Sequence, residues 1–316
     1  MGFTRPDMVT FDSTDALPPV QSWRIHLGAH KTATTHLQQT LSAIRPQLAA
    51  HGVDFIPNQT VRDHGLTREL FRRNLAARVP FLRRSIMPGV LDGVLSPLRH
   101  GPQSVVISEE NLIGTSGDAF SGLLYPLADT SIARLSTLSE RADMTFFLSI
   151  RSFDTFLPSA YAEALKQSPP LEGGFAAVKR RILAKPPSWF GLVQRIRAIA
   201  PGIRLRIWRQ EDYRSHKTEI LSALCGCRLD ALPEIPDPRR TASPSLEAIR
   251  KAEALPQELP KPQRRSAVLK AYSEAPSEPG QKFRPFSVDE SKALQKSYQE
   301  DLNRIAGLGA DVLMKF

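Results

Sequence analysis

Three groups of residues in this chain have types and spacings suited to chemistry on an anion. The first is the run Gly28-Ala29-His30-Lys31-Thr32-Ala33-Thr34-Thr35. Arg24-Ile25-His26-Leu27 before it is short and β-compatible and stops at Gly28, as a strand entering a tight turn does. After it, Leu37, Leu41, Ile44 and Leu48 fall on one helical stripe, so a helix is expected to open on Thr32, Thr34 and Thr35. The first amides of a helix lack backbone partners and carry the positive end of its dipole, so they hold phosphate or sulfate oxygens. Lys31 adds a mobile charge, and the threonine hydroxyls add short donors.

The second group is Arg151 and Ser159. Arg151 ends the buried run MTFFLSI at 144–150, and Ser159 lies eight residues on, in the next helix. A strand-end arginine and a helix serine can bracket a second phosphate, one by charge and one by a hydrogen bond. The third group is Glu109 and Glu110, directly after the β-branched run at 104–107. Acids just beyond a buried strand lie where α/β proteins place chemistry. His64, a loop histidine with a neutral form at pH 7, competes as a proton acceptor. His26 and His30 are expected to serve packing or loop geometry. Glu211 and Asp212 are explained at least as well by capping the helix that follows.

These residues need a scaffold that brings them to one edge. Strands expected at 24–27, 53–56, 104–107, 144–150 and 203–208 alternate with helices, which implies a parallel α/β sheet with helices on both faces. Residues 1–20 form an expected tail, and 21–316 a single domain. Asp154 is expected to cap the helix after Arg151, with Pro158 in its first turn. A basic helix is expected at 68–78. Prolines recur through 232–285, which is expected to be an irregular excursion over a cleft with one helix-like interruption at 245–254. The helix at 288–306 carries a capping box from Ser287 and Glu290.

Composition removes several classes of function. The 316 residues can bury a substantial core. No apolar run approaches the roughly 18–20 residues of a membrane span, and the first twenty residues lack a signal peptide's apolar segment, so a soluble, cytoplasmic chain is expected. Cys225 and Cys227 have neither redox nor zinc spacing, and no acid–histidine cluster has metal-ligand spacing. The net charge of +10 comes without a long basic run or aromatic-interleaved basic strand, so no nucleic-acid partner is expected. It suits a multiply anionic ligand, and an anionic acceptor too. A Walker A loop is excluded, because only Ala29 and His30 separate Gly28 from Lys31.

The Lys31 loop resembles instead the K-T/S-G-T-T loop of sulfotransferases, which binds the 5'-phosphosulfate of 3'-phosphoadenosine 5'-phosphosulfate (PAPS). Lys31, Thr32, Thr34 and Thr35 match it position by position, and Ala33 stands where the family usually has Gly. If that position needs positive φ, Ala costs about 1 kcal/mol or more; if the helix has already begun, Ala is harmless. Arg151 and Ser159 resemble the family's pair for the 3'-phosphate, with Ser152-Phe153 in place of the usual Asp-Pro. SEENL, RIWRQEDY and the last helix are similar to bacterial sulfotransferase-domain proteins, and the resemblance spans about 23–306.

That resemblance implies a P-loop-NTPase-like fold, PAPS as cofactor with 3',5'-ADP as product, and no metal. The implied cofactor residues are Gly28, His30, Lys31, Thr32, Ala33, Thr34, Thr35, Arg151 and Ser159. Sulfuryl would pass in line to a hydroxyl or amine of a small molecule or glycan, with Lys31 stabilising the leaving phosphate. The base is a His or Glu in this family; Glu110 is favoured over Glu109, with His64 in competition. Lys282 and Arg284 occupy a region where members often place a basic loop on the 3'-phosphate. Two alternatives stand beside this: a nucleotide-dependent phosphotransferase, and a non-catalytic protein that binds 3'-phosphoadenosine nucleotides.

Overall fold

In a computed structural model, residues 19–72, 80–99, 101, 104–235, 244–276 and 282–316 are described. Five short strands, β1 (Ser22–His26), β2 (Val53–Ile56), β3 (Ser104–Ser108), β4 (Asp143–Ile150) and β5 (Arg204–Arg209), form one parallel sheet in the order β2-β3-β1-β4-β5. Neighbouring residues in each strand enter opposite cores. Val105, Ile107, Phe146 and Leu148 enter one, and Val106 and Phe147 the other. Burial on both faces is why these strands read as continuous apolar runs rather than alternating ones.

Apolar stripes of the helices Pro80–Leu95, Ala128–Leu135, Phe153–Ala164, Trp189–Ile199 and Val288–Ala306 complete the first core. Thr34–Ala43, Arg45–Ala50 and Lys217–Cys225 complete the second. The α/β architecture with helices on both faces is thus as expected. Because every strand is parallel, the segments after β1, β3, β4 and β5 emerge along one edge of the sheet. The chain leaves β1 toward β2 and β3 on one side and later takes up β4 on the other, so that edge opens at a topological switch point, where such sheets bind ligands.

Local expectations need correction at several places. The first helix begins at Thr34, not Thr32. Ser152, not Asp154, is the N-cap residue of Phe153–Ala164; its hydroxyl is 2.6 Å from Asp154 Oδ1. Pro158 lies in that helix's second turn. Region 232–285 is more regular than expected: its described residues hold a helix at the expected interruption, Leu246–Glu253, and a second one, Lys261–Glu274. Its prolines mislead because Pro260 and Pro262 sit at the start of the second helix, where a missing N–H costs nothing. Tyr161 Oη and the Phe175 amide donate to Glu253 at 2.5 and 2.8 Å, and Tyr272 Oη donates to Ala162 O at 2.8 Å, fastening both helices to the body. The basic helix ends at Phe71, with Arg72 extended after it; 73–78, like nearly all of the expected tail, lie outside the described residues. The capping box of Ser287 and Glu290 is present.

Candidate functional site

The loop after β1 stays zipped to β4 beyond the end of the strand. Leu27 N donates to Phe147 O at 2.8 Å, Ala29 N to Ser149 O at 3.0 Å, and Ser149 N to Gly28 O at 2.6 Å. Gly28 has φ +95°, and a Cβ there would lie 3.0 Å from both Cα and Cβ of Glu110. Glycine is therefore required, and the favoured base candidate packs directly against the anion loop. His30 is buried, with Nδ1 3.2 Å from Tyr125 Oη and Nε2 3.3 Å from Asn111 Oδ1. Burial holds its pKa below the usual range, against the opposing pull of Glu110 and Asn111.

Lys31 and Ala33 have φ of 61° and 67°. Ala33 is the left-handed residue before the helix, a conformation that favours glycine, and alanine here carries the strain of about 1 kcal/mol or more. The first intrahelical bond is Leu37 N to Ala33 O at 3.1 Å, which leaves the amides of Thr34 and Thr35 ahead of it without helical acceptors. The hydroxyls of Thr32 and Thr34 turn inward and donate to Ala29 O at 2.6 and 3.2 Å. Their route to an anion is through the backbone, and only Thr35 exposes its side chain.

Charges ring this loop. Lys31 Nζ lies 3.5 Å from Glu163 Oε2, which also takes Lys166 Nζ at 2.8 Å. Burial lowers the Lys31 pKa, although Glu163 opposes it. Burial pushes the Glu163 carboxyl up, but the two lysines prevail and hold it below its usual range. Arg151 joins the second motif to the first: Nη1 donates to Lys31 O at 2.9 Å and Nε to Thr155 Oγ1 at 3.0 Å. Burial lowers its pKa, against the pull of Glu211 and Asp154. Its backbone is pinned too. Trp189 Nε1 donates to Arg151 O at 2.8 Å, and Ser152 N to Glu211 Oε1 at 2.9 Å. Glu211 is thus a brace for the β4 end, Asp212 pairs with Arg209, and neither caps the next helix, whose N-cap is His216. Ser159 is half-buried, and its hydroxyl has no partner among the described residues.

Both acids after β3 reach Arg62. Glu109, fully buried, takes Arg62 Nε at 2.7 Å and Nη2 at 3.0 Å, and accepts the Asn111 amide at 2.9 Å. Burial raises its pKa while Arg62 works the other way. Glu110 Oε1 takes Arg62 Nη2 at 3.0 Å, and Oε2 takes Gln38 Nε2 at 3.1 Å. Both carboxylates can reach one arginine because Glu110 already opens a 3-10 turn, Glu110–Ile113. His64 is exposed at the end of the helix Asn58–Asp63, its Nδ1 3.0 Å from Thr60 O. Lys282 and Arg284 are exposed, and their side chains have no partner among the described residues.

Sequence reasoning missed Glu163 and Arg62. Glu163 could have been found, since it follows Ser159 by four residues on the same helix face. Among the described residues no group of His, Cys, Asp or Glu is arranged to hold a metal, and no helix is long and apolar enough to cross a membrane.

No protein-family model and no curated protein matches this chain. Among solved structures, a sulfotransferase from Alicyclobacillus acidocaldarius is similar to it at 12% identity and a TM-score of 0.41, over 89% of this chain and 97% of that one. At that identity and score the likeness says nothing of chemistry, which the side chains must carry themselves.

Proposed function

We propose that this protein is a PAPS-dependent sulfotransferase. The observation that carries the reading is the junction of its two anion motifs: Arg151 Nη1 donates to the Lys31 carbonyl at 2.9 Å. One doubly anionic ligand could therefore be gripped from both sides. The residues fit such a group. The helix-start amides of Thr34 and Thr35 have no helical acceptor, Ser159 has a free hydroxyl, and three cations (Lys31, Lys166 and Arg151) gather around Glu163 and the loop.

When bound, PAPS supplies a sulfuryl group on a phosphate leaving group. On this reading the Lys31 ammonium meets the negative charge that grows on the leaving oxygen, and the loop amides hold the phosphosulfate oxygens. Arg151 and Ser159 hold the 3'-phosphate. Glu110, beside Gly28, accepts the proton of the acceptor hydroxyl or amine, a small molecule or a glycan. Both acids have partners, but Glu109 is fully buried and held by two Arg62 nitrogens, whereas Glu110 keeps 21% of its side chain exposed, which favours Glu110. His64 is the competing base, and its exposed position beside Thr60 makes it the weaker candidate.

Thermal shift should separate this from a phosphotransferase: 3',5'-ADP stabilises the protein and ATP with Mg²⁺ does not. The strained Ala33 favours one further reading, a protein that binds the nucleotide without turnover. Single-turnover sulfuryl release from labelled PAPS into a mixed acceptor pool decides between them, and release no faster than in buffer alone would remove the enzymatic reading.

A further inference from the structure

Beneath the anion loop, His26 at the end of β1 is wholly buried and stacked on Trp208, with ring centroids 4.8 Å apart. Its Nδ1 lies 2.8 Å from Ser108 Oγ on β3, and its Nε2 lies 3.2 Å from Ser149 Oγ on β4. Ser149 Oγ lies 2.5 Å from Thr32 Oγ1, which is 2.6 Å from Ala29 O. Four side chains and one carbonyl therefore make a continuous path from β3 through β1 and β4 into the loop.

Hydrogen accounting fixes which nitrogen of the ring carries its proton. A carbonyl oxygen only accepts, so the Thr32 hydroxyl donates to Ala29 O. The Ser149 hydroxyl has one hydrogen and two acceptors in reach, Thr32 Oγ1 at 2.5 Å and Gly28 O at 2.9 Å; the carbonyl's second lone pair is open beside the Ser149 amide, so the two share that hydrogen. Ser149, its hydrogen used, accepts from His26 Nε2–H. A neutral imidazole carries one N–H, so Nδ1 accepts from Ser108. Every member is satisfied, as a buried polar network must be to avoid a desolvation penalty.

We infer that His26 is a positioning residue of the anion loop: as the Nε2–H tautomer it fixes Ser149 and Thr32 so that the Ala29 carbonyl stays turned inward. The carbonyl and amide of a trans peptide point opposite ways, so anchoring Ala29 O also aims the His30 amide, whose contact with Tyr125 Oη is a long 3.4 Å. The relay explains why the Thr32 hydroxyl is spent inside the protein. The proposed ligand rests on the sulfotransferase reading; the relay itself does not.

The test pairs affinity with spectroscopy. Asn reaches only the Nδ1 side of the imidazole and Gln the Nε2 side. His26→Asn and Ser149→Ala should each weaken 3',5'-ADP by about tenfold, one hydrogen bond's worth. His26→Gln should recover most of that loss. The double variant His26→Asn/Ser149→Ala should bind no worse than either single one, since both cut one chain. Imidazole ¹⁵N NMR of the wild type should show a neutral Nε2–H ring. An Nδ1–H ring, additive losses, or a folded His26→Asn protein with wild-type affinity would overturn the relay. If the wild type fails to bind 3',5'-ADP, the cofactor reading falls. The tautomer and the same cycle measured in unfolding free energy then still decide the relay.

Discussion

Under the anion loop, His26, Ser108 and Ser149 are fully buried and Thr32 is 2% exposed; all four are neutral, and every hydroxyl has an acceptor in reach. At its rim, Lys31, Glu163 and Lys166 keep 30%, 21% and 13% of their side-chain surfaces, and Arg62 is shared between two acids. The floor uses neutral hydrogen bonds, which lose nothing to salt and fix backbone geometry. The rim uses ion pairs that solvent weakens and that can exchange partners. A site of this kind places a ligand with its floor and responds to charge with its rim.

Changes at the rim should therefore strike turnover, and changes at the floor should strike stability and affinity. The largest effect is expected at the proton acceptor. Glu110→Gln keeps the shape and removes the basicity, so kcat should fall about 10²–10⁴-fold with nucleotide affinity retained. His64→Asn is its counterpart; loss of turnover there with an active Glu110→Gln would move the base to His64. Lys31→Ala should lower kcat by roughly 10²-fold or more while binding changes less. A kcat equal to wild type would take Lys31 out of the chemistry.

Glu109 sits between floor and rim, and the role proposed for its neighbour does not extend to it. Glu109→Gln breaks a bidentate pair with a fully buried acid. Urea unfolding should show a loss of about 2–4 kcal/mol, below the full range for a buried pair because Arg62 is 34% exposed. A stability loss within error would mean the pair contributes nothing.

The smallest of these effects near neutral pH is a pH slope. Burial lowers the His26 pKa from 6.5 to about 3. Between those values the unfolded chain binds a proton that the folded one refuses, so stability falls as pH drops from about 6.5 toward 3, at up to about 1.4 kcal/mol per unit. Buried His30 acts in the same direction, so the difference between wild type and His26→Gln isolates His26. Parallel stability–pH curves for the two proteins would contradict the buried neutral ring.

What the sequence revealed followed from local physics. Apolar β-branched runs marked the sheet, Ser287 and Glu290 marked the start of the last helix, and the acids and arginine after strands pointed to one edge of the sheet, where the fold does place them. Other features had no local sign. Lys31 and Ala33 take positive φ without being glycine, so the helix start was set two residues early. Prolines at 260 and 262 looked like breakers though they begin a helix. The helix Pro80–Leu95 carries Pro88 inside it, which hid it. The partners of Lys31 and Glu109 lie 132 and 47 residues away in the chain, and only the fold brings them together.

The central claim is that the loop and Arg151 grip one ligand bearing two anionic groups. Calorimetric titration of 3',5'-ADP against 5'-AMP, in wild type and Arg151→Ala, tests it most directly. Arg151 also braces Lys31 O, so its loss should weaken both nucleotides; the decisive quantity is their ratio. The wild type should prefer 3',5'-ADP by about tenfold or more, as a charge-assisted phosphate contact would give, and the variant should bind the two nearly alike. Equal affinities in the wild type, or a preference that survives Arg151→Ala, would contradict the account.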